Sequence, residues 1–87
     1  MEIVFSKHAQ ETMRKRGATK KEAREAILKS EWREAKLNRF ESTREFIYKE
    51  KWNGNFYQFK QVNPVFVQEN ELITVITVYV FYHNNNE

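Results

Sequence analysis

The stretch FSKHAQETMRKRG, residues 5–17, places an imidazole, His8, at the start of a helical pattern and a cationic cluster, Arg14, Lys15 and Arg16, two turns later. Histidine titrates near neutral pH and can move protons, and guanidinium or ammonium groups neutralise phosphate. The first turn of a helix also offers free N–H groups to an anion. Near the other end of the chain, LITVITVYVFY places the hydroxyls of Thr77 and Tyr79 on one side of a strand, roughly 7 Å apart. A phosphate-handling site would draw on these residue types. An ordinary surface helix and an ordinary strand would also contain them.

The elements that must position these groups are legible in outline. MEIVF opens as a short β-like segment, and Ser6 can cap a helix from Lys7 to about Arg16, with Ala9 and Met13 facing a core. Gly17 supplies the helix end. TKKE at 19–22 is a capping box for a second helix, whose stripe is Ala23, Ala26 and Ile27. From Trp32 onward the pattern is extended. REFIYKEKW, Asn53-Gly54 and NFYQFKQV predict a hairpin with a type I′ turn. A two-residue loop pairs Glu50 with Tyr57 and Tyr48 with Phe59, with Phe46, Tyr48, Trp52, Tyr57 and Phe59 on one face. Pro64 is expected to begin a separate short strand, PVFVQ, and 69–71 to turn. The last segment is apolar on both faces, as in a central strand. Simple alternation there puts Leu72, Ile76, Val78 and Val80 on one side and Ile73, Val75, Thr77, Tyr79 and Phe81 on the other.

Eighty-seven residues make one domain with a single modest core, expected to span 1–83 and to leave 84–87 as a disordered polar tail. Absence of cysteine excludes disulfides, thiolate metal sites and cysteine nucleophiles. No apolar run reaches the roughly 20 residues of a membrane span, and the start lacks a signal-peptide pattern, so a cytoplasmic protein is expected. Residues 1–51 hold fourteen of the fifteen Lys and Arg against nine of the twelve acids, a balance of +5 within a chain of +3. That asymmetry permits a polyanion partner. Glu11, Glu22, Glu25, Glu31 and Glu34 interleave with the cations, as on any solvated face.

Taken together, FSKHA, RKRGATKKE and ITVY resemble a small prokaryotic family of unknown function, which in turn resembles the compact RelE and ParE ribonuclease toxins and the wider barnase- and colicin-like group. The resemblance implies an α+β fold, two N-terminal helices on an antiparallel sheet of four or five strands with the closing strand central. It implies a metal-independent toxin-type endoribonuclease without cofactor, acting on single-stranded RNA and held by a cognate antitoxin protein. Carried over by position, the catalytic residues would be His8, Arg16, Thr77 and Tyr79, with Lys7 and Lys15 joining Arg16 in contacting nucleic acid. His8 would move a proton, Arg16 would stabilise the crowded phosphorus, Thr77 would donate to a phosphate oxygen, and Tyr79 would orient the phosphate or stack on a base. One departure stands out: the family usually has an arginine where this chain has Thr12. A catalytically silent module binding RNA, or an antitoxin-like protein, is the competing reading.

Overall fold

The computed structural model describes residues 1–84, which form two helices and a six-stranded mixed sheet. The elements in chain order are β1 (Glu2–Phe5), α1 (Lys7–Arg16), α2 (Lys20–Lys29), β2 (Arg33–Ala35), β3 (Arg39–Glu41), β4 (Arg44–Trp52), β5 (Asn55–Glu69) and β6 (Leu72–His83). The sheet order is β1-β6-β5-β3-β2, with β4 also on β5. The α+β class is as expected; the sheet is not. β1 pairs parallel with β6, so the sheet is mixed and has six strands, and the helices are inserted between its first and second strands. A parallel partner seventy residues away leaves no local signal.

Both helices begin and end as their caps dictate. Ser6 Oγ accepts from the Ala9 amide at 3.0 Å, and Thr19 and Glu22 form the reciprocal capping box. Gly17, at φ 85°, ends α1 in the left-handed conformation. Ala9, Met13 and Ile27 meet Val62, Phe66, Ile73, Val75 and Val78 in one buried cluster. The helices therefore cover a single side of the sheet.

Two β-bulges correct the expected alternation. In β4, Glu50 faces Tyr57 as expected, but Ile47 rather than Tyr48 faces Phe59, with Lys49 at φ 53°. One extra residue in β4 shifts the register there, and Phe59, now opposite Ile47, stacks on His83. In β6 the register shifts where Thr77 faces Val65 and Val75 faces Phe66, leaving Ile76 as the extra residue. Ile73 and Val75 consequently share the core side with Val78, and Thr77, Tyr79 and Phe81 point to the side without helices. Pro64 does not start a strand. It lies inside the fifteen-residue β5, between the part paired to β4 and the part paired to β3, where a missing N–H costs no ladder bond. Asn84, expected in a disordered tail, accepts from the Gln58 amide at 2.8 Å; the rest of that tail, 85–87, lies outside the described residues.

The corner after α1 is closed by side chains from the sheet. Lys60 Nζ donates to the Gly17 carbonyl at 2.9 Å and pairs with Glu22 at 2.9 Å, and the Tyr82 hydroxyl donates to the Arg16 carbonyl at 2.6 Å. A Cβ on Gly17 would lie 2.5 Å from Tyr82 Oη and 2.8 Å from the Trp52 ring. Gly17→Ala is therefore expected to cost about 2–4 kcal/mol, from the left-handed backbone and overpacking together, measured by urea unfolding. Burial, and then the neighbouring Tyr48 and Glu22, push the Tyr82 hydroxyl up to about 12 from the usual 10. A raised folded-state value means the contribution is intact below pH 10 and is lost as pH climbs towards 12. Stability measured across that window should fall in the wild type and fall less steeply in Tyr82→Phe.

Candidate functional site

Helix α1 does more than cover the core: it finishes the edge of β6. β1 pairs only with residues 72–75, so beyond them the edge of β6 away from β5 has no strand beside it. Ser6 continues the pairing, its amide donating to the Val75 carbonyl at 3.0 Å and its hydroxyl to Ile76 at 3.2 Å. The Val78 amide then donates to Thr12 Oγ1 at 3.3 Å, and the Arg16 guanidinium donates to the Val78 carbonyl at 2.8 Å. Thr12 also donates to the Ala9 carbonyl at 3.0 Å and is buried. A buried threonine at 12 thus serves the strand edge.

Arg16 reaches round this edge to the helix-free side, where its guanidinium carbon lies 5.0 Å from the centroid of the Tyr79 ring. Contacts of this kind contribute about 0.5–1 kcal/mol at exposed sites. Tyr79 keeps 42% of its surface exposed. It lines, with Thr77 and Val65, an open cleft of about 750 Å³ whose far wall is the turn joining β2 to β3. From that wall come Lys36, Leu37 and Arg39, with Glu34 and Glu41. Glu41 is engaged by Asn63 Nδ2 at 3.1 Å and by Arg33 at 3.6 Å. Lys36 and Arg39 have no carboxylate partner among the described residues. Their charge is available to an anion in the cleft, with Glu34 as the unpaired acid beside them.

The structure thus brings Thr77, Tyr79 and Arg16 together and leaves His8 apart. His8 is exposed and makes no hydrogen bond, ion pair or ring contact with any described residue. It sits two turns before Arg16, about 12 Å along the helix axis. At 100° per residue it lies on the Thr12 flank of α1, the flank that meets β6, and Lys15 falls about 20° from it. Lys7 is exposed and lies about 100° round the helix from His8 and about 80° from Lys15. The sequence reading missed Lys36, Leu37 and Arg39, because a Lys-Leu-Asn loop lacks the glycine that marks most tight hairpin turns. The only trace in the sequence was Asn38, which tolerates positive φ.

No family model, curated protein or solved structure matches the chain.

Because Arg16 holds the β6 edge, its removal should be felt without any ligand. Arg16→Ala is expected to lower unfolding free energy by about 1–3 kcal/mol, from a lost charged hydrogen bond and the ring contact. Urea titration of the isolated protein measures it, and an unchanged midpoint would show that the guanidinium contributes nothing to the edge.

Proposed function

We propose that the protein is RNA-directed and holds single-stranded RNA on the helix-free face of its sheet. The observation that carries this reading is the cleft in which an exposed tyrosine ring, braced by Arg16, stands opposite two cations that have no carboxylate partner. Unpaired bases have a free π-face for Tyr79, and their phosphates suit Arg39 and Lys36. Thr77 beside the ring supplies a hydroxyl for a phosphate or sugar oxygen. From Tyr79 the backbone of a bound strand could run past Arg16 to Lys15 and His8 on the same side of α1. Lys7, expected to contact nucleic acid, lies about 80° round the helix from Lys15 and is reached only by a strand that bends over the start of α1.

Cleavage in the manner of a metal-independent endoribonuclease is the second reading. It is favoured by His8, an exposed imidazole free of internal partners on the flank that borders Tyr79 and Arg16. The non-catalytic reading is favoured by Arg16, whose guanidinium is already committed to Val78, and by the separation of His8 from the cleft.

Fluorescence anisotropy with a labelled single-stranded oligoribonucleotide tests the binding step. Affinity should fall steeply with salt, Arg39→Ala should reduce the salt slope by about one contact, and Tyr79→Ala should weaken binding by roughly tenfold or more. Incubation in excess EDTA then separates the two readings. Products with 2′,3′-cyclic phosphate ends, slowed about 100-fold in a stably folded His8→Ala, would establish the ribonuclease. Binding without cleavage would leave a silent RNA-binding module. Absence of RNA binding would direct attention to an antitoxin-like protein partner.

A further inference from the structure

The turn between β2 and β3 contains an apolar residue in a conformation that does not suit it. Leu37 and Asn38 adopt φ of 62° and 59°, and the Arg39 amide donates to the Lys36 carbonyl at 3.3 Å. Both loop positions are left-handed, as in a type I′ turn. Asparagine tolerates this region; leucine does not, because its Cβ crowds the following carbonyl. Packing offers no offset within the chain, since Leu37 is 79% exposed, the highest value among the large apolar side chains described. Glycine or asparagine would make the same turn without strain. A strained, water-facing leucine between two cations, on the wall of the cleft opposite Tyr79, is unexplained by folding.

We propose that Leu37 is a clamp that closes on a nucleobase stacked against Tyr79, so that the cleft accepts a single unpaired base between an aromatic and an aliphatic side chain. The inference rests on the RNA reading above and narrows it to a substrate class. A base inside a duplex has both faces covered by its neighbours and cannot enter. An unpaired base has both faces free. The flanking Lys36 and Arg39 suit the phosphates on either side of the inserted nucleotide, which distinguishes this occupant from a purely apolar one. The strain at Leu37 is then retained for binding at the expense of the free protein's stability.

The opposed effects on stability and binding make the test. Leu37→Asn keeps the turn and should melt at the same temperature as the wild type or higher. Its affinity for a single-stranded oligoribonucleotide carrying one 2-aminopurine should fall roughly tenfold, with a smaller fluorescence change on binding. Leu37→Met, which restores an apolar side chain, should recover most of the affinity. The same oligonucleotide annealed to its complement should bind all three proteins weakly. Equal single-strand affinity for the wild type and Leu37→Asn would overturn the clamp while leaving the RNA reading standing. A lower melting temperature for Leu37→Asn would overturn it too, by making Leu37 a packing residue. Failure of the wild type to bind any single strand would overturn the RNA reading and the clamp together.

Discussion

The carbonyl end of α1 is the point on which the structure turns. Lys60, a lysine buried to 5% exposure, lies where an unpaired ammonium would be intolerable, and it is satisfied there by the Gly17 carbonyl and by Glu22. Glu22 is at the same time the N3 residue of the α2 capping box, so one carboxylate ties the start of α2 to the end of α1 and to β5. Tyr82 adds the neighbouring carbonyl of Arg16 and is itself stacked on Trp52 at 5.0 Å between ring centroids. Removing any one partner would strand a buried polar group, a larger penalty than the net gain from a typical hydrogen bond. Only a glycine fits at 17, by conformation and by space. Through this corner the direction of α1 along β6 is set, and with it the side chains that reach the strand edge.

That placement has a consequence on the opposite side of the sheet. An exposed strand edge invites pairing with another chain, and here the edge beyond β1 is closed by Ser6, Thr12 and Arg16 instead of by a further strand. Arg16 has to pass round the edge to do so, and its guanidinium then braces Tyr79. The bulge at Ile76 acts in the same direction, because the extra residue lets β6 present Ile73, Val75 and Val78 to the helices while Thr77 and Tyr79 turn outward. Without it, regular alternation would have put either the first valine or the tyrosine on the wrong side. The open face and its cleft therefore depend on a backbone irregularity and one edge-capping arginine.

Local chemistry was readable from the sequence where it was strong. Ser6, Gly17, the Thr19 and Glu22 box and Asn53-Gly54 each carry a signal confined to four residues, and each was found where expected. The β4 and β6 bulges were not readable, because a lysine at positive φ and an isoleucine left over in a ladder are outcomes of tertiary pairing. Nor was the parallel pairing of β1, which depends on contacts seventy residues apart. For the site, the shared face of Thr77 and Tyr79 was expected from strand alternation, whereas the approach of Arg16 to Tyr79 depends on how α1 packs on β6. The wall opposite Thr77 and Tyr79 was not expected, since Lys36, Leu37 and Arg39 belong to a three-residue hairpin whose turn residues carry almost no sequence signature. The place of His8, exposed on α1 and outside the lining of the cleft, likewise follows from the packing of α1 on β6.

The helix-free face, across the cleft between Tyr79 and the turn after β2, is where ligand is proposed to bind. A titration of ¹⁵N-labelled protein with single-stranded RNA, followed by amide chemical shifts, reports on every part of the surface at once. Shifts concentrated at residues 35–39 and 77–81, with smaller changes along the Lys15 side of α1, are the expected result. Shifts confined to the outer faces of α1 and α2, with the cleft residues unmoved, would contradict it.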